Sequence, residues 1–166
     1  MERIKIISLL LIVVLLAACS ARKPQNAKDA GFLPPVFPAQ NGATIPCNIA
    51  PINFMLTQPC DRLFLSVKGK SSVWESGFEG LKTTIPEKDW QKFLAANSGD
   101  SISFTVYAFQ DKNWIKYKPF SYFVSPDPVD EYLVYRLIHP GYQTWNAMGI
   151  YQRHLTGFRQ ETVIDS

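Results

Sequence analysis

Leu16-Ala17-Ala18-Cys19 is the stretch in which residue type and spacing specify a reaction. Small side chains at Ala17 and Ala18 let a peptidase close on the bond before Cys19. The Cys19 thiol supplies the sulfur for a thioether to diacylglycerol, and cleavage frees the Cys19 α-amine as the new N-terminus. The residues ahead of it fit that use. Arg3 and Lys5 give a positive start, and Ile6 to Leu16 is apolar except for Ser8, the pattern of a secretory signal. The run falls short of the roughly 20 residues that span a bilayer. Residues 1–18 therefore read as a cleaved lipoprotein signal peptide and Cys19 as the lipidated start of the mature chain. Each buried methylene of the lipid contributes about 0.8 kcal/mol, so a diacylglyceryl group with a further acyl chain such as palmitate anchors firmly. No other cofactor is expected. Ser20 in place of aspartate favours the outer membrane, if the sorting rule of enteric bacteria applies.

Cys47 and Cys60 would face an oxidising compartment, where thiols tend to pair. A bridge over so short a loop would contribute roughly 2–3 kcal/mol. Two buried free thiols are the other reading, because the sequence does not give the separation that a disulfide requires. No Cys-x-x-Cys occurs, which removes thioredoxin-like chemistry and covalent haem attachment within these residues. His139 and His154 are the two histidines, too few for a histidine metal site without further ligands. Both read as ordinary turn or surface residues, and no metal is expected. Asp127, Asp130 and Glu131 follow a proline-rich break. Paired carboxylates can hydrolyse glycosides, yet Asp beside Pro more commonly forms turns. No Gly-x-Ser-x-Gly, His-Glu-x-x-His or phosphate loop is present, so catalysis is not expected.

Aromatic residues are dense between Phe104 and Phe158. Most are expected in the core. Trp114, beside Lys112 and Lys116, and Trp145, in Gln143-Thr144-Trp145-Asn146, are the candidates for ligand stacking, with a glycan as the ligand. The whole chain holds 17 basic and 14 acidic side chains. The signal removes two and one of these, so the mature chain has 15 and 13 and a formal charge of +2. That balance is too mild for nucleic acid.

The elements that must position these residues begin with a tether. Residues 19–46 hold Pro24, Pro34, Pro35, Pro38 and Pro46 among polar and small residues, and are expected to form a disordered spacer. From Cys47 the pattern turns strand-like: Ile49 to Leu56, Leu63 to Val67, Val73-Trp74 and Leu81 to Ile85. Pro86, Glu87 and Asp89 suit a helix start, Trp90, Phe93 and Leu94 share one face, and Asn97-Ser98-Gly99 ends it. Ser101 to Phe109 alternates cleanly, Gln110 to Asn113 is a turn, and Trp114 to Val124 returns as a second long strand. Ser125-Pro126-Asp127-Pro128 breaks the chain. Glu131 to Ile138 and Met148 to Leu155 are further strands before a polar C-terminus. The class expected is mainly β, an immunoglobulin or fibronectin type III-like β-sandwich with one short helix. It would span residues 47–125, with additional strands over 126–166.

Several short motifs are similar to those of one family. They are Asn48-Ile49-Ala50-Pro51-Ile52-Asn53-Phe54-Met55-Leu56, Tyr117-Lys118-Pro119-Phe120, Val124-Ser125-Pro126-Asp127, Tyr135-Arg136-Leu137-Ile138 and Met148-Gly149-Ile150-Tyr151-Gln152-Arg153. Together they resemble the N-terminal module of TolB-like, or cytochrome c biosynthesis-like, envelope lipoproteins of Bacteroidetes-type bacteria. In that family a small β-rich module precedes a haem-attachment motif and a propeller. This sequence contains neither, so the resemblance implies an accessory module, with residues 126–166 as the lead-in to a propeller. The expectation is a non-enzymatic, membrane-anchored module of the envelope that docks a protein partner. The alternatives are an aromatic-mediated glycan-binding module and the front part of a c-type cytochrome/propeller redox protein.

Overall fold

The computed structural model describes residues 22–39, 42–138 and 148–165. Cys19, His139 and Trp145 lie outside them. Twelve strands and one helix are described: β1 (Lys28–Asp29), β2 (Val36–Phe37), β3 (Thr44–Pro46), β4 (Met55–Leu56), β5 (Arg62–Lys68), β6 (Val73–Glu79), α1 (Glu87–Ala96), β7 (Ser101–Gln110), β8 (Asn113–Lys116), β9 (Phe120–Ser125), β10 (Tyr132–Ile138), β11 (Met148–His154) and β12 (Gln160–Asp165). The chain is mainly β, as its alternating pattern requires.

β7 is the spine of a seven-stranded sheet. β5 pairs along one side of it and β6 closes that side. On its other side β9 pairs with Ser101–Phe104 and β8 with Tyr107–Gln110. The single long strand expected over Trp114–Val124 is thus two strands on one partner. Pro119, which lacks an N–H to donate, stands in the break between them. The Asp111-Lys112 turn has both residues at positive φ, 48° and 62°, the geometry that matches hairpin twist.

The inner face of this sheet carries Leu63, Leu65, Val67, Ile102, Phe104, Val106 and Ala108. α1, the β2–β4 ribbon and the loop between β3 and β4 form the opposing layer, through Trp90, Phe93, Leu94, Phe54 and Leu56. The sandwich therefore has a mixed second layer. Its aromatic centre is continuous: Phe104 stacks on Phe120 at 5.1 Å and meets Tyr122 edge-on at 5.4 Å. Pro86 caps α1 from outside, and Asn97 ends it with its N–H on the Leu94 carbonyl. The strand expected over Leu81–Ile85 is reduced to one bridge, between Met55 and Lys82. Thr83 and Asn53 instead satisfy the local backbone with side-chain hydrogen bonds.

The expected spacer is also corrected. Residues 22–39 and 42–46 are part of the body. β1 runs parallel to β8, β2 pairs with β4, and β3 runs parallel to β9. Lys23 Nζ lies 3.3 Å from Glu75 Oε1 on β6, at the opposite side of the sheet from β1. Residues 23–28 must therefore cross the outer sheet face as a strap. Phe64 and Tyr107, 2% and 5% exposed, face outward beneath that path and meet edge-on at 5.9 Å. Proline does not prevent this docking, because an extended segment with few N–H groups can lie flat on an apolar face.

The junction at Ser125–Pro128 leads into a second, three-stranded antiparallel sheet, β10-β11-β12. The polar C-terminus supplies β12. A seam of polar contacts fixes this sheet to the body. Asn48 exchanges two hydrogen bonds with Val129, at 2.8 and 3.0 Å. The Ala50 N–H donates to the Leu155 carbonyl, and Gln91 donates to the carbonyls of Ile49 and Thr156 at 3.0 and 3.1 Å.

Candidate functional site

The second sheet departs most from what burial requires. In the body, every large aliphatic residue of β5 and β7 is covered. In β10 and β12, Leu133, Val134, Val163 and Ile164 are 50%, 59%, 51% and 59% exposed. The register places Leu133, Tyr135 and Leu137 on one face with Arg153 and Tyr151, and Val134 and Arg136 on the other with Gln152 and Ile150. Both faces therefore carry exposed apolar groups, and no described element covers either.

Among the described residues neither β10 nor β12 pairs with a further strand, and these two edges differ. β12 carries Glu161 and Asp165, and its register against β11 shifts at Ile150/Tyr151. Charge and a bulge are the devices that blunt an edge against pairing. β10 pairs with β11 through seven residues without a shift, and its one charge is Arg136. Arg136 has no ion-pair partner among the described residues. The open edge of β10 is the unguarded one.

His154 is not the ordinary surface residue expected. Its Nε2 lies 3.0 Å from Glu131 Oε1, its Nδ1 2.8 Å from Thr156 Oγ1, and its ring 4.5 Å from that of Tyr132. Hydroxyl, imidazole and carboxylate in line are the parts of an acyl-transfer relay. Here, however, the hydroxyl belongs to the histidine's own turn and the carboxylate is 61% exposed. With the Leu155 N–H on the Glu131 carbonyl, the group clips the start of β10 to the end of β11. The His-x-Thr spacing is legible in sequence; the approach of Glu131 is not, because it depends on strand register.

Cys47 and Cys60 are both free. The Cys47 thiol donates to the Pro126 carbonyl at 3.4 Å and the Cys60 thiol to the Gly80 carbonyl at 3.5 Å. The disulfide considered from sequence is not formed, because the two side chains are held on different parts of the body. Burial first, and then the neighbouring Asp61 charge, push the Cys60 thiol above its ordinary range. It is thus kept protonated and unreactive at neutral pH.

Trp114 lies on the outer face and is half-buried. Its partner is Arg62 rather than Lys112 or Lys116: the guanidinium sits 5.5 Å from the Trp114 ring and 4.4 Å from that of Phe109, and the two rings pack at 5.3 Å. A ring engaged this way presents less free surface for a sugar. Beside it, Gln58, Cys60, Asp61, Gln110, Asp111 and Lys112 line an open polar cleft of about 600 Å³. Among the described residues no three of His, Cys, Asp and Glu converge as metal ligands, and no helix is long and apolar enough to cross a membrane.

No family model, curated protein or solved structure matches the chain.

Proposed function

We propose that this chain is an envelope lipoprotein, anchored through Cys19 to the outer membrane. In this reading it acts as a non-enzymatic module that docks a protein partner by strand addition to β10. The single observation that carries the docking role is the unguarded edge of β10, with exposed Leu133, Val134 and Leu137 beside it. The partner segment is extended, apolar on alternate residues, and carries a carboxylate opposite Arg136. Main-chain hydrogen bonds would supply affinity and the side-chain pockets specificity. The resemblance to accessory modules of TolB-like lipoproteins agrees with this role. The Leu16-Ala17-Ala18-Cys19 motif supports the anchor.

The test is photo-cross-linking in intact cells, with a photoreactive residue at Leu133, Leu137 or, as a control, Lys112. Adducts of one mass are expected from the two β10 positions only, and Arg136→Glu should suppress them without changing the unfolding midpoint of the purified protein. Equal adducts from Lys112, or adducts indifferent to Arg136→Glu, would remove β10 as the docking edge.

A further inference from the structure

We propose that the β5–β6 turn and the open edge of β6 rest on the bilayer, with anionic lipid headgroups as the ligand of that surface. This deepens the anchoring reading and rests on it: it specifies which face of the body meets the lipid. The strap leaves the described body at its Lys23 end. Lys23 is held at Glu75, two residues into β6 from Val73. Four peptide units separate Lys23 from Cys19, at most about 14 Å of extended chain. A free coil of residues 19–46 would instead let the body stand off by about 30 Å. Because the described residues between 24 and 46 lie on the body, only this short link separates an anchor on Cys19 from Lys23 and β6. Lys23 stands near the end of β6 where Gly69–Ser72 turns, so that end lies within the reach of an anchor on Cys19.

The surface at that end suits lipid headgroups. Arg22, Lys23, Lys68, Lys70 and Lys92 are exposed around it. The carboxylates among them are Glu75, which holds Lys23 and accepts from Ser66, Asp100, 3.7 Å from Lys70, and Asp89. Cations outnumber carboxylates there by two, which is as large as the net charge of the whole mature chain. Val73, 57% exposed, lies among them as an apolar group that can enter the headgroup layer. Ser72, Val73, Trp74 and Phe93 line a shallow groove of about 330 Å³ beside it. Each basic side chain held near an anionic surface raises partitioning about fivefold. The opposite end of the sheet, at the Asp111-Lys112 turn, has Asp61, Glu79 and Asp111 against Arg62 and Lys112.

The proposal is tested with the acylated full chain, in vesicles of phosphatidylethanolamine and phosphatidylglycerol. Cys47→Ala and Cys60→Ala remove the other thiols. A polarity-sensitive fluorophore is then placed at Ser71→Cys and, separately, at Asp111→Cys. At position 71 the emission should shift to the blue and become shielded from iodide, and Lys68→Glu with Lys70→Glu should reverse this. At position 111 the label should stay as in water. The unlabelled chain gives a second readout, since lipids brominated near the headgroup should quench the emission that Trp74→Phe removes. A label at 71 as open to iodide as that at 111, or an unquenched Trp74, in vesicle-bound acylated protein overturns the orientation and leaves the anchor standing. An intact mass without acyl groups overturns the anchor and the orientation together.

Discussion

Asn97 joins the end of α1 to the β5–β6 turn, and its removal should show how tightly that turn is held. The side chain is 1% exposed. Its Nδ2 donates to the Phe93 carbonyl at 2.8 Å and to Ser72 Oγ at 2.9 Å, and its Oδ1 accepts from the Ser71 N–H at 3.2 Å. A net contribution of about 1 kcal/mol per bond puts Asn97→Ala at about 2–3 kcal/mol. Gly69 lies against the same amide: a Cβ there would stand 2.0 Å from Asn97 Oδ1 and 2.3 Å from Cγ. The amide is bonded on three sides and has nowhere to move, so Gly69→Ala should cost about 1–3 kcal/mol as overpacking. In the Asn97→Ala background the clashing atoms are gone. Gly69→Ala should then cost little, giving a coupling of about 1–3 kcal/mol in the double-mutant cycle. Urea unfolding of the mature chain, followed by circular dichroism, measures all four variants. Strictly additive costs would refute the claim that this one amide holds both the turn and the helix end.

Three further outcomes follow from the core and its buried titratable groups. Burial pushes the Tyr122 hydroxyl up to about 12, against an ordinary 10.0. The unfolded chain therefore loses this proton first, so stability falls as pH rises between those values, by about 1.4 kcal/mol per pH unit for this one group. Tyr122→Phe should flatten that fall in urea midpoints taken across the window. Cys60, raised by burial and by Asp61, should react with a maleimide far more slowly in the native protein than in urea at neutral pH, and speed up only as alkali is added. Equal native and unfolded rates would contradict the effect of this partial burial. Trp90, 2% exposed with its N–H on the Ile49 carbonyl at 3.0 Å, anchors α1 to both the core and the loop that carries the second sheet. Trp90→Ala should cost about 3–5 kcal/mol in the same assay, and Trp90→Phe markedly less.

Local pattern accounts for much of what the sequence discloses. Alternation in Ile102, Phe104, Val106 and Ala108 marks β7 because successive side chains of a strand point to opposite faces. Trp90, Phe93 and Leu94 mark the buried face of α1 because positions three and four apart stack on a helix. The small residues before Cys19 specify an expected processing reaction because a peptidase reads a linear segment. Pro119 carried a usable signal for the break between β8 and β9, and Ser125–Pro128 for the junction.

Tertiary structure decided what depends on non-local pairing. Residues 22–46 look like a spacer by composition, yet β1, β2 and β3 each find a partner far along the chain, and only that pairing spends the tether on the body. The two cysteines stand close in sequence and still face different carbonyls, because loop length does not fix side-chain direction. Glu131 reaches His154, and Arg62 rather than a neighbouring lysine covers Trp114, through register across strands. Exposure is likewise a tertiary property: the apolar residues of β10 and β12 resemble those of β5 and β7 in type, and only the absence of a described covering layer makes them a surface.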